Sequence, residues 1–292
     1  AVLAKGTPGY SGAELANVLN EAALLAARKG LKAISMRELE DARDKVRWGK
    51  ERRSMAMSER EKTSTAWHEA GHAILNVLLE HTSPLHKVTI IPRGPYLGAT
   101  MYLPEGDKYS TQQKEALDLL VVTMGGRIAE EMFTNDISNG ASGDIRQATT
   151  LSRKMVCEWG MSSLGMISFA EGNEYVFLAR EMSRPREYSE HTAQQIDAEV
   201  KRIIDEAYER ARVLLESHRK EVQVVAKALL EFETLDASHV NEILEFGEIK
   251  NPPIMEVAPP PLPPTPVDVT PEPPESIKPQ LPPGGFAAPA PA

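Results

Sequence analysis

Residues 58 to 79 are compelled to form a helix, and whatever the chain folds into must be built around it. Ser58 can cap the first turn and Glu61, three residues on, can return the bond as a capping box. Ala66, Ala70, Ala73, Ile74, Val77 and Leu78 then recur at helical spacing as an apolar stripe. Within this helix stands His68-Glu69-Ala70-Gly71-His72. Side chains four apart share one helix face, so both imidazoles can ligate one ion while Glu69 beside them acts as a base on water. That is the minimal chemistry of a zinc peptidase. Gly71 lowers helix stability relative to alanine, so its position implies a close approach to the backbone, by a ligand or by a packed helix.

A catalytic zinc site takes three protein ligands, and the third lies outside this motif. Ala73 to Leu78 offers none, and His81 and His86 fall beyond the helix's reach and read as surface or turn residues. Two segments offer a carboxylate. One is Gly125-Gly126-Arg127-Ile128-Ala129-Glu130-Glu131, where one glutamate can hydrogen-bond a ligating histidine from outside and the other reads as solvated. The other is Gly140-Ala141-Ser142-Gly143-Asp144-Ile145, where Asp144 follows a Gly/Ser/Asn-rich loop and opens a helical run towards Trp159. A carboxylate is favoured at such a helix start, so by its own residues Asp144 reads as an N-cap before it reads as a ligand.

Periodicity places further helices at about 111–133, 144–160, 189–217, 219–231 and 236–246. Near the start, Ser11 and Glu14 form a capping box ahead of Leu15, Val18, Leu19, Ala22, Leu25 and Ala26, Gly30 closes that helix, and Ser35 caps another. The main strand candidates are residues 86–92 and 98–104 around a turn at Arg93-Gly94-Pro95, and their flanking prolines favour an edge hairpin over an interior strand. Gly98, Ala99, Thr100, Met101 and Tyr102 then form an edge on which an extended peptide can add as a strand. The expected fold class is mainly α with a small β-hairpin or sheet. Its parts are a helical segment 1–50, a second unit 51–248 and a tail 249–292 that holds most of the 22 prolines and reads as an extended, unfolded spacer.

The net charge of −9, without a recurring Lys/Arg face, argues against nucleic acid as a partner. The single cysteine, Cys157, excludes an internal disulfide, suits a reducing compartment and reads as a buried thiol rather than a nucleophile. No apolar run is long enough to span a bilayer and no basic-plus-apolar signal opens the sequence, so the segment is expected to be soluble. No G-x-x-x-x-G-K-[ST] loop occurs either, so no ATP hydrolysis is expected of this chain alone.

Four ordered motifs resemble FtsH, the membrane-anchored, ATP-dependent AAA+ zinc metalloproteases. They are the run Thr7 to Leu15, the His68–His72 motif, Gly125 to Glu131, and Gly140 to Ile145, and the resemblance covers roughly residues 1 to 246. It implies His68, His72 and Asp144 as zinc ligands and Glu69 as general base; of the two glutamates, Glu130 is the one expected as an outer partner of the site. It implies that residues 1–50 are the end of an AAA+ lid whose Gly12 and Ala13 lie near the adenine of ATP in a complete ATPase module. It further implies a zinc endopeptidase acting on unfolded or membrane-extracted polypeptides, a homo-hexamer, and upstream transmembrane helices that hold the peptidase on the cytoplasmic side or its organellar equivalent. The competing readings are a catalytically inactive assembly platform, opposed by the presence of all four site residues, and a small stand-alone metallopeptidase, opposed by the partial lid.

Overall fold

The computed structural model describes residues 2–52, 55, 57–94, 96–103, 106, 110–169 and 188–253. The proline-rich tail read from the sequence lies almost wholly outside the described residues. A short helical turn, α1 (Val2–Lys5), leads into α2 (Gly12–Arg28) and α3 (Met36–Trp48). Both of the latter start at the expected caps: Ser11 forms its capping box with Glu14, and Ser35 forms one with Glu38. They share a small core of Val18, Ala22 and Ala42, with Tyr10, Leu25, Leu39 and Val46 packed on it. The apolar stripe of α2 is only partly used: Leu15 and Leu19 are exposed, because α3 covers the Val18–Ala22 face alone.

The motif helix is α4 (Glu59–Leu78), capped by Ser58 and Glu61. It is followed by β1 (Leu85–Thr89), β2 (Ala99–Tyr102), α5 (Gln113–Thr134), a 3-10 turn at Asn139–Ala141 and α6 (Ser142–Cys157). Then come α7 (Glu190–Ser217), α8 (Arg219–Phe232), the short β3 (Thr234–Asp236) and α9 (Ala237–Phe246). α4 packs against α5 and α8 and contacts the sheet through β1, so its second half, Ala66 and Glu69 to Asn76, is buried nearly all round. A glycine is required where α4 crosses α5. A Cβ on Gly71 would lie 2.2 Å from the carbonyl oxygen of Gly125, and one on Gly125 would lie 2.7 Å from that of Gly71. Helix packing therefore accounts for the glycine inside the motif.

The sheet corrects the expectation of a two-stranded edge hairpin. Its order is β2-β1-β3, so β1 is a central strand, paired antiparallel with β2 (Val88 opposite Thr100) and with β3 (Val88 opposite Leu235). Pro92, one of the prolines that argued for an edge, stands outside the paired residues, and β3 has only three residues, too few for an alternation to be read. A bulge between Leu85 and Lys87 lets His86 escape the β1–β2 register. His86 is accordingly no surface or turn residue: its Nε2 lies 3.1 Å from Nη2 of Arg43 on α3. The same contact region holds Asp44, wholly buried between Arg43 and Lys87. Cys157, half-buried at the end of α6, has its thiol pKa pushed up by burial, as befits an inert side chain.

Candidate metal centre

Three helices deliver the side chains of the site. α4 presents His68 and His72 one turn apart, and α6 presents Asp144 from its first turn. Nε2 of His68 lies 3.1 Å from Nε2 of His72 and 3.2 Å from Oδ2 of Asp144, and His72 Nε2 is 3.6 Å from the same oxygen. Asp144 is not the N-cap that its local sequence suggested. Ala141 occupies that position, and the Asp144 carboxylate points across to the imidazoles.

Both rings are oriented from behind. Nδ1 of His68 is 2.8 Å from Oε1 of Glu130 on α5, and Nδ1 of His72 is 2.8 Å from the carbonyl oxygen of Val122, also on α5. A carbonyl can only accept, so His72 carries its proton on Nδ1, and the carboxylate of Glu130 favours the same tautomer in His68. The two Nε2 atoms then face Asp144, as lone pairs in the neutral rings and as a donating N–H where His68 is protonated. Glu130 is held in turn by Ser138, whose backbone N–H and hydroxyl donate to Oε2 at 3.1 and 2.9 Å. Glu131, its neighbour, is exposed and accepts from the Tyr208 hydroxyl at 2.9 Å. Room for the His68 ring comes from Gly126, where a Cβ would stand 2.4 Å from the imidazole.

Charge follows this geometry. Burial disfavours a protonated His68, but the hydrogen bonds its ring N–H groups donate to Asp144 and Glu130 outweigh it and raise the metal-free imidazole to about 10. Burial likewise opposes ionisation of Asp144 and Glu130, and hydrogen bonding to the histidines holds both carboxyls below the usual range. In the metal-free protein a proton is thus held where a cation would serve the same electrostatic purpose. Two imidazole nitrogens and one carboxylate oxygen, all within 4.8 Å of one another, with the outer ring nitrogens already committed, fit a divalent zinc-type ion with one position left for a ligand.

Glu69 lies between this triad and β2, near enough for its charge to act on His68. It is buried, and its Oε2 accepts from the Thr100 hydroxyl at 2.7 Å. A cleft of about 1330 Å3 runs over both features. It is lined by Gly98, Ala99, Thr100 and Tyr102 from the β2 segment and by Trp67, Phe133 and Ile137 among others. Trp67 and Phe133 stack with centroids 4.2 Å apart. Burial and the charges of Glu69 and Asp144 push the Tyr102 phenol well above its ordinary value. Met101, grouped from the sequence with the peptide-pairing residues, points the other way: its side chain is 2% exposed and packs in the core. The alternation of a strand separates it from Thr100 and Tyr102. Gly12 and Ala13 are exposed at the start of α2 and take no part in this centre. The sequence reading missed Gly126 and the contact of Thr100 with Glu69. A glycine beside a second glycine in a helical run was the only local sign of the first, and the second had none.

A model of the AAA+ lid domain matches residues 1–41, and a model of peptidase family M41 matches residues 55–243. The chain is 61% identical over 258 residues to the ATP-dependent zinc metalloprotease FtsH 2 of Methylacidiphilum infernorum, covering 88% of this chain and 40% of that protein. It is 56% identical over 263 residues to the ATP-dependent zinc metalloprotease FtsH of Akkermansia muciniphila, with 89% and 32% covered. With the FtsH of Acidobacterium capsulatum the identity is 50% over 248 residues, with 85% and 39% covered. The chain therefore spans less than half the length of these curated relatives.

Proposed function

The chain belongs to peptidase family M41, and from that membership we propose that it is the zinc endopeptidase part of an FtsH-type ATP-dependent protease. The observation that carries the reading is the convergence of His68 Nε2, His72 Nε2 and Asp144 Oδ2 beneath an open cleft. These three residues hold the ion, and Glu130 and the Val122 carbonyl fix the two rings. When bound, zinc supplies Lewis acidity, which polarises a scissile carbonyl and acidifies water.

The remaining work falls to side chains of this chain. Glu69, one oxygen of which is committed to Thr100, takes the proton of the attacking water on the other and passes it to the leaving amine. β2 lies at the edge of its sheet among the described residues, so its outer side can pair with an extended peptide laid through the cleft. Substrates on this reading are polypeptides already unfolded, since only an extended backbone can pair in this way. Gly12 and Ala13 contribute to an adenine site only in a complete ATPase module. Assembly into a hexamer, and attachment to a membrane through upstream helices with the peptidase on the cytoplasmic side, belong to the same proposal. No helix of the described residues is long and apolar enough to cross a membrane itself.

The test is Glu69→Gln. The amide keeps the size and the zinc content but cannot take the proton, so cleavage of an unfolded protein should fall by at least about a thousandfold. Near wild-type cleavage by that variant would remove the base assignment. A wild-type chain that bound no zinc and cut nothing, yet assembled, would instead be an inactive platform.

A further inference from the structure

We propose that Thr100 is a positioning residue that holds Glu69 in its working orientation, an inference that rests on the reading of Glu69 as the proton acceptor. The two residues belong to different elements, 31 positions apart in sequence, and meet through a 2.7 Å hydrogen bond from Thr100 Oγ1 to Glu69 Oε2. The donor is anchored. Thr100 is fixed in the β1–β2 ladder opposite Val88, whose side chain is wholly buried, and a β-branched side chain has few χ1 options. Gly98 completes the seat. A Cβ there would lie 2.7 Å from Oε1 and 2.9 Å from Cγ of Glu69, so the strand's backbone runs flush along the carboxylate.

The chemistry needs such a seat. A free glutamate side chain populates several rotamers, and an error of about 1 Å in a reacting group can cost on the order of a hundredfold in rate. The α4 backbone fixes only the Cβ of Glu69, whereas the hydroxyl of Thr100 fixes its far end. Because the donor sits on the strand proposed to pair with the peptide, the segment that binds substrate also aims the base. The expected signature is therefore a loss in turnover and not in binding, since Thr100 contributes to the peptide-pairing ladder through its backbone, which a side-chain substitution leaves in place.

The experiment compares the zinc-loaded full chain with Thr100→Val, which keeps the shape and removes the donor, and Thr100→Ser, which keeps the donor and removes the methyl. Peptide cleavage, zinc per chain and melting temperature are measured for each. Thr100→Val should lose about tenfold to a hundredfold in kcat with KM within about twofold and zinc content unchanged, and Thr100→Ser should restore most of the rate. A crystal structure of Thr100→Val should find the Glu69 carboxylate moved from its place against Gly98. If Thr100→Val does not fold, Thr100→Ala against Thr100→Ser asks the same question. Wild-type kcat in the donor-free variant, equal losses in the serine and the donor-free variants, or a loss confined to KM would each overturn the proposal. Absence of zinc-dependent cleavage in the wild type would instead bring down the peptidase reading and this inference with it.

Discussion

Among the described residues, two clusters of buried charged side chains follow opposite rules. Between α3 and the sheet, Asp44 is matched by two cations: Arg43 donates to its Oδ1 from Nε at 2.9 Å and Nη2 at 2.7 Å, and Lys87 pairs with its other oxygen. Among α4, α5 and α6, two nitrogens and a carboxylate oxygen face one another while the outer ring nitrogens are spent on Glu130 and Val122. Both clusters include histidine, and His86 in one and His68 in the other are driven in opposite directions. Burial, then Arg43 and Lys87, lower His86 and keep it neutral, whereas Asp144 and Glu130 overcome burial and raise His68. Burial and charge alone therefore do not mark a ligand site. What separates the two is whether the cations are already in place, as Arg43 and Lys87 are, or whether acceptors converge on a point that a cation can fill.

The same substitution in the two clusters should give opposite readings. Asp144→Asn removes an anionic ligand and should cost on the order of a thousandfold in zinc affinity, roughly 4 kcal/mol, while the metal-free protein melts within a few degrees of wild type. Isothermal titration and a thermal scan measure both, and full zinc retention would move the third ligand elsewhere. Asp44→Asn should do the reverse. It leaves the buried Arg43 and the half-buried Lys87 without an anion and should destabilise the fold by about 3 kcal/mol, with zinc affinity of the folded fraction unchanged. Unchanged denaturant stability would mean that water reaches this cluster.

Glu130→Gln probes the partner behind a ligand. It should weaken zinc by about 10- to 100-fold, between the ligand loss and no effect, and an affinity equal to wild type would make the 2.8 Å contact ornamental. The smallest effect belongs to His86. Its folded pKa is depressed, so its contribution to stability is present above the unfolded value of about 6.5 and is lost as pH falls through the folded one. His86→Gln, which keeps an acceptor for Arg43, should remove that acid-side slope, which cannot exceed about 1.4 kcal/mol per pH unit for one proton. An identical slope in the variant would place the responsible group elsewhere.

Much of this molecule was open to reading from the chain alone, for a local reason. The Ser–x–x–Glu boxes at Ser11, Ser35 and Ser58 and the apolar spacing within α4 act over a few residues, so helix positions followed without knowledge of the fold. The pairing of His68 with His72 is equally local, one turn of helix on one face. Resemblance, not spacing, was needed to choose Asp144, because nothing within its own segment distinguishes a ligand from a cap.

What only the tertiary structure decided depends on elements far apart in sequence. That β1 is central follows from a three-residue partner, β3, arriving from the far end of the peptidase segment. That Glu130 and not Glu131 backs His68 depends on the rotation of α5 against α4, set by the Gly71–Gly125 contact. That Thr100 reaches Glu69 while Met101 enters the core depends on strand register, where a shift of one residue would exchange them. Local hydrogen bonding and periodicity act through neighbours in sequence and so are written in it. The aim of a side chain at a site is fixed by which backbones touch, and that is settled only when the helices and the sheet pack.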